Sequence, residues 1–289
     1  MKEIVILSGK GGTGKTSVTA SFAALAKNIV VVDCDVDAAD LHLVLEPHAS
    51  ESHDFWGGRI AVIDQEKCTA CGSCADACRF DAISSEDGRY SVNGLECEGC
   101  GVCDLICPAD AIKLQDTISG QWFLSETRFG VMVHARLGAG GENSGKLVTL
   151  IRKRAREIAE SVGAQLVLTD GPPGIGCPVI ASLADANHVL IITEPTVSGI
   201  HDLQRVAQLT SHFKVAASII INKSDINESK AAEIDEYASK HNIEVLGRIP
   251  YDPIVTAAQL EAKSIIEYSS GEISDTLREI WDKVSRIID

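Results

Sequence analysis

Short apolar runs and helical stripes alternate along this chain. Residues 3–8 (Glu-Ile-Val-Ile-Leu-Ser) form a strand-sized run that stops at a glycine turn, and Ile29 to Val32 form a second that stops at Asp33-Cys34-Asp35. The same pattern predicts strands over Gln121–Leu124, Phe129–Val133, Gln165–Thr169, His188–Thr193, Val215–Ile221 and Glu244–Ile249. Between the first two strands, Ser17 to Lys27 places Val18, Phe22, Leu25 and Ala26 on one helical face. A second helix is predicted over Lys146–Val162. Ile273, Leu277, Ile280, Trp281, Val284 and Ile288 give the last segment a helical stripe, read as core-packing rather than a membrane tail. Strands alternating with helices predict right-handed crossovers in an α/β fold, a mainly parallel sheet flanked by helices.

The pattern breaks between about Arg59 and Asp116, where short strands and turns replace it. The predicted organisation is therefore residues 1–58 as the first part of the α/β domain, 59–116 as a small inserted α+β domain, and 117–289 as the second part. No apolar run approaches the roughly 20 residues of a membrane span. Met1-Lys2-Glu3 followed by four apolar residues and glycines is no signal peptide, so the expected location is the cytoplasm. A net charge of −15 argues against nucleic acid as a partner. The one basic cluster, Lys146, Arg152, Lys153, Arg154 and Arg156, reads as a solvated helix face, with a partner site as the alternative.

The first strand runs into Gly9-Lys10-Gly11-Gly12-Thr13-Gly14-Lys15-Thr16-Ser17. Strand, glycine loop and helix are the context a G-x4-G-K-[ST] phosphate loop requires. Backbone N–H groups wrap the phosphates, Lys15 adds charge, and the Thr16 hydroxyl is placed to ligate Mg²⁺. Gly9, Gly11 and Gly14 also spell the dinucleotide fingerprint, with Asp33 as its ribose acid. Lys15-Thr16 has a task only in a triphosphate site. Acids end two strands: Asp33 and Asp35, with Asp37 and Asp40 as nearby alternatives, and Asp170 ahead of Gly171-Pro172-Pro173-Gly174. Asn222-Lys223-Ser224-Asp225 matches the N-K-x-D base-reading motif.

Eight of the ten cysteines form two C-x2-C-x2-C-x3-C quartets, Cys68, Cys71, Cys74, Cys78 and Cys97, Cys100, Cys103, Cys107, offset by 29 residues. Gly72 matches Gly101, and Asp81-Ala82-Ile83 matches Asp110-Ala111-Ile112, so the region is an internal duplication with the spacing of two [4Fe–4S] clusters. Zinc sites stop at four ligands and need fewer, more widely spaced pairs. Cys78 precedes Arg79 where Cys107 precedes Pro108, a charge expected to raise one cluster's potential. Cys34 reads as buried and inert, and Cys177 as a poor candidate for a cluster bridging two subunits. The glycine-rich stretch Gly138–Gly145 reads equally as a mobile switch, a contact for the cysteine region or a plain loop.

Lys10 to Thr16 resembles the deviant phosphate loop of the MinD/ParA/Mrp ATPases, the superfamily of the nitrogenase iron protein, and residues 59–116 resemble a bacterial two-cluster ferredoxin. The resemblance implies a P-loop NTPase of MinD-like fold containing a ferredoxin-like insert. It implies that Lys10 reaches across a homodimer to the partner's nucleotide, and that Asp35 positions or activates the attacking water. It makes Asp170 the Walker B acid, so that Thr16, Asp35 and Asp170 surround Mg²⁺. Asn222 would read adenine, so ATP is preferred to GTP despite Asp225, and Pro250-Tyr251-Asp252 would flank the base. In the two-cluster ferredoxin pattern the fourth ligand comes from the other quartet. One cluster would use Cys68, Cys71, Cys74 and Cys107, the other Cys78, Cys97, Cys100 and Cys103. The expected function is an ATPase that gates electron transfer to an unidentified redox or cluster-acceptor protein. The alternatives are an Mrp-type iron–sulfur carrier and a ParA/MinD-like positioning switch, the latter needing a membrane or DNA surface that charge and tail argue against.

Overall fold

The protein is described by a computed structural model covering residues 1–138 and 144–288. Residues 139–143, the centre of the glycine-rich stretch, lie outside the described residues. The chain begins with β1 (Lys2–Ser8), α1 (Lys15–Leu25), β2 (Ile29–Asp33), α2 (Leu41–Leu45) and β3 (His48–Phe55). Then come β4 (Gly58–Ile63), α3 (Ser73–Asp76), β5 (Ile83–Glu86), β6 (Arg89–Val92), α4 (Val102–Ile106) and β7 (Ile112–Thr117). After β8 (Gly120–Thr127) and β9 (Gly130–Leu137) follow α5 (Ser144–Val162), β10 (Leu166–Pro173), α6 (Cys177–Leu183), β11 (His188–Thr193) and α7 (Val197–His212). The chain closes with β12 (Ala216–Asn222), α8 (Glu228–Lys240), β13 (Glu244–Ile249), α9 (Ile254–Leu260), α10 (Ile265–Tyr268) and α11 (Glu272–Ile288).

These elements fall into two compact units. The first comprises Met1–Ser52, Trp122–Arg136 and Gly145–Asp289; the second comprises His53–Gln121 and Leu137–Ser144. The large sheet runs in the order β13-β12-β11-β1-β10-β2-β9-β8-β3, and its pairings from β13 through β9 are parallel. Strand periodicity explains why it is buried on both faces. Ile4 and Ile6 of β1 join Leu168, Leu190 and Ile220 in one core beneath α1 and α11. Val5 and Leu7 point the other way, into a core with Val189, Ile191, Ile219 and Ile221 under α6, α7 and α8. The apolar face of α11 is spent in the first core: Ile273, Leu277, Ile280 and Val284 are all buried.

Two sequence expectations change. The strand expected to end at Thr169 continues to Pro173, because Pro173 still pairs with Ser8 past an irregularity in β1. The basic cluster on α5 is not a uniformly solvated face. Lys153 and Arg154 are exposed, but Arg152 is only 3% exposed. Its Nε donates to Glu3 Oε1 at 2.7 Å, and Arg156 Nε donates to Glu3 Oε2 at 2.7 Å. Glu3 is itself buried on β1 and also accepts from Thr169 Oγ1 at 3.2 Å. A buried carboxylate must be paired, and two arginines from one helix pin that helix to the central strand.

The second unit is small and duplicated. β4 pairs antiparallel with β7, and β5 with β6. The 29-residue repeat is written in its backbone: Ala70 and Gly99, Gly72 and Gly101, and Asp81 and Asp110 all have positive φ, between 48° and 83°. Ala82 and Ala111 are each 2% exposed, and Ile83 and Ile112 join the same small core.

Arg152→Met is expected to destabilise the protein by about 3 kcal/mol, because it strips Glu3 of a buried partner. Pairing it with Glu3→Gln should recover much of that loss. Urea unfolding midpoints of the single and double variants test this; equal destabilisation by both would remove the argument.

Candidate functional site

The sheet gathers its chemistry at the carboxyl ends of the parallel strands, where open α/β sheets bind ligands. A cavity of about 700 Å³ opens there in the first unit. It is lined by Lys10 to Ser17, Asp35, Asn222, Lys223 and the Pro250-Tyr251-Asp252 turn, among others. Gly9, Asp170 and Asp225 are not among its lining residues.

The loop between β1 and α1 is shaped by its neighbours. Gly14 has φ 91°, and a Cβ there would lie 2.2 Å from Asn222 Nδ2, so only glycine fits. Asn222 Nδ2 donates to Thr13 O at 2.7 Å, and Lys223 Nζ donates to Gly12 O at 3.0 Å. The ends of β12 and of the phosphate loop are thereby stitched together. The Thr13 hydroxyl is buried with no hydrogen-bond partner, an orphan that a bound anion would satisfy.

At the helix start, Lys15 is 6% exposed and surrounded by acid. Its Nζ lies 3.4 Å from Asp170 Oδ1 and 3.8 Å from Asp35 Oδ2. Burial opposes its charge, but Asp170, Asp35 and Asp33 outweigh that and hold its pKa above the usual lysine value. Thr16 Oγ1 donates to Asp170 Oδ2 at 2.8 Å, and Thr19 Oγ1 donates to Asp170 Oδ1 at 3.0 Å. Burial pushes Asp35 up to about 6, against the pull of Lys15 and with help from Asp170. Asp33 is raised well above its ordinary value, by burial first and by Asp170 second. One lysine among three carboxylates leaves the edge short of positive charge, and an oxygen-rich donor set of this kind suits a hard divalent cation. Asp33 is turned to the backbone: its carboxylate accepts from Asp35 N at 3.1 Å and from Leu41 N at 3.2 Å, shaping the entry to α2. Asp40 lines the cavity, whereas Asp37 is exposed.

On the base side, Asp225 Oδ1 accepts from Tyr251 N at 2.6 Å, and Asp252 Oδ1 accepts from Ile254 N at 2.9 Å. Both acids build the turn that lines the cavity. Glu194, just past β11, was not singled out in the sequence. It pairs with both Lys10, at 2.6 Å, and Lys223, at 3.0 Å. Its place at the end of a parallel strand was the available signal. Gln259 Nε2 donates to Ser17 Oγ at 3.0 Å and was likewise missed.

In the second unit, the sulfurs line two cavities. One is bounded by Cys68, Cys71, Cys74 and Cys107 and the other by Cys78, Cys97, Cys100 and Cys103. All ten cysteines are free thiols. Ala111 N donates to Cys107 Sγ at 3.3 Å and Ala61 N to Cys97 Sγ at 3.5 Å. Among the described residues, no three His, Cys, Asp or Glu side chains gather closely enough for a single metal ion. In the first unit, Cys34 is fully buried, with its thiol pushed well up by that burial, and Cys177 is exposed at the start of α6.

Comparison with known proteins fits the cleft. Residues 4–265 match the CobQ/CobB/MinD/ParA nucleotide binding domain. An uncharacterised protein of Methanocaldococcus jannaschii is 33% identical over 289 aligned residues, 99% of this chain and 97% of the relative. Septum site-determining protein MinD from Pyrococcus horikoshii, solved with Mg-ADP, superposes with a TM-score of 0.61 at 17% identity, covering 99% of this chain and 96% of that one. Cell division ATPase MinD of Pyrococcus furiosus gives 0.59 at 18% identity, with 99% coverage of each chain. The chain belongs to the CobQ/CobB/MinD/ParA family of nucleotide-binding domains.

Proposed function

We propose that this protein is an ATP-driven dimer switch whose second unit carries two [4Fe–4S] clusters, with the nucleotide state governing electron transfer through them. The cluster reading rests on one observation: each sulfur cavity takes three cysteines from one quartet and the fourth from the other. That crossover is the ligand pattern of two-cluster proteins. A single zinc ion instead needs four ligands converging to about 2.3 Å. The N–H groups of Ala61 and Ala111 aimed at Cys97 and Cys107 suit thiolate ligands, because such donors stabilise negative charge on sulfur. Clusters of this kind supply one-electron transfer.

In the cleft, the loop from Gly9 to Ser17 holds the phosphates and Lys15 offsets their charge. Thr16, Asp35 and Asp170 would surround Mg²⁺. Asp35 receives the proton of the attacking water, and Lys10 reaches the partner's nucleotide. Asn222 and the turn from Pro250 to Asp252 hold the base. Asp225 Oδ1 accepts from Tyr251 N, so this acid orders the base-side turn.

The positioning-switch reading has its own support in the MinD proteins that share the fold. A membrane tail does not accompany it among the described residues, since the apolar face of α11 is buried in the core. No helix of the described residues is long and apolar enough to cross a membrane. Cosedimentation with anionic liposomes or DNA only when ATP is present would favour that reading over electron transfer.

Anaerobic reconstitution should load about eight irons and as many sulfides per chain. Cys107→Ser and Cys78→Ser should each disturb a different cluster by EPR. A preparation that takes up zinc, or neither iron nor sulfide, would overturn the cluster reading. Measured potentials that ignore ATP would remove the coupling while leaving the clusters.

Asp225→Ala should weaken ATP and GTP binding alike, by about fivefold, the loss of one charged hydrogen bond that orders the base-side turn. Competition binding reads the ratio. A selective loss of GTP binding would make Asp225 a guanine reader instead.

A further inference from the structure

The nucleotide edge contains a contact that the switch does not obviously need. Lys10 does not extend into solvent. Its Nζ is 2.6 Å from Glu194 Oε1 and donates to Ser198 Oγ at 3.1 Å. The lysine is thus folded back onto the segment that joins β11 to the first turn of α7 in its own chain. Glu194 is held ready for it. Its carbonyl accepts from Thr196 N at 2.8 Å, and a Cβ on Gly199 would come within 2.2 Å of that oxygen, so the turn closes only around glycine. The Glu194 side chain is 9% exposed and that of Lys10 33%, so the pair is partly shielded from screening.

We infer that Glu194 is an intramolecular competitor for Lys10, holding it on its own subunit until a partner's nucleotide outbids the carboxylate. The inference rests on the dimer reading above, in which Lys10 acts across the interface. Lys223 makes the exchange feasible. Its Nζ sits 3.0 Å from Glu194 Oε2 and also donates to Gly12 O at 3.0 Å. When Lys10 leaves, Glu194 keeps a cation, so departure does not strand a buried charge. With both lysines present, the two cations hold the Glu194 carboxyl below its usual pKa despite burial, which keeps it ionised at neutral pH. Lys223 also touches the phosphate loop, so the same carboxylate reports on both the loop and the signature lysine. Glu194 is accordingly a positioning residue, acting through Lys10 rather than on substrate.

The test uses the full-length protein and two readouts. In the nucleotide-free state, amine-acylating reagent followed by mass spectrometry measures the reactivity of Lys10. Glu194→Gln should raise its labelling rate by about tenfold, the worth of one charged hydrogen bond. With ATP and Mg²⁺, light scattering measures the nucleotide concentration at which half the protein is dimeric. Glu194→Gln should lower that concentration by about fivefold, and should shift nothing in a Lys10→Ala background. Glu194→Asp, whose shorter side chain reaches less easily to both lysines, should fall between and guards against a folding defect in the first variant. Unchanged Lys10 labelling overturns the inference, as does faster labelling without a lower dimerisation threshold. If labelling rises but neither wild type nor variant dimerises at saturating ATP, the dimer reading fails, and the competition fails with it.

Discussion

The nucleotide edge depends on a single buried cation outnumbered by carboxylates. β1, β10 and β2 are parallel and in register, so Ile6, Asp170 and Asp33 stand side by side at one level of the sheet. That places Asp170 at the foot of α1, where Lys15, Thr16 and Thr19 all contact it. In a site this dry, each unneutralised carboxylate costs far more than in water. The upward shifts of Asp33 and Asp35 record that cost. A hydrogen-bond web of threonine hydroxyls and backbone N–H groups holds the acids apart. The same web leaves the edge receptive to further positive charge.

The two units solve different problems. In the first, a large core buries both faces of a sheet, and chemistry is confined to loops at one end. The second has only a small apolar core of Ala61, Ile63, Ile83 and Ile112, against which six of the cysteines pack. Its shape comes from repeated left-handed turns at matching positions in the two halves. Because each sulfur cavity draws on both quartets, neither half forms a complete cavity by itself. The duplication therefore yields one interlocked object instead of two beads on a string.

Much of the nucleotide site was legible because local sequence carries it. The phosphate loop needs glycines at fixed spacing, and the acids follow directly after strand-sized apolar runs. The cysteine repeat was equally plain, since the spacing of the two quartets is a covalent feature of the chain. What escaped was set by distant pairing. Arg152 looked like one charge in a solvated cluster, yet Glu3, far away in sequence, draws it under the sheet. Asp225 matches a base-reading motif, and its Oδ1 also accepts from Tyr251 N in the turn after β13, a pairing the motif does not announce. Glu194 belongs to no motif, and its two lysines lie on different loops. Partners brought together only by the tertiary fold leave no mark in a local window.

The position of β1 has a consequence for how the protein is made. This first strand lies inside the sheet, between β10 and β11. Both neighbours are translated long after it, so this apolar segment waits without a sheet partner until β10 is complete at residue 173. At ordinary elongation rates that interval is roughly eight to thirty seconds. The second unit, whose sheets close within residues 58–117, has its own pairings available well before then. Pairing order therefore runs against sequence order: β4–β7 and β5–β6 have both their strands available before β1 meets either of its neighbours.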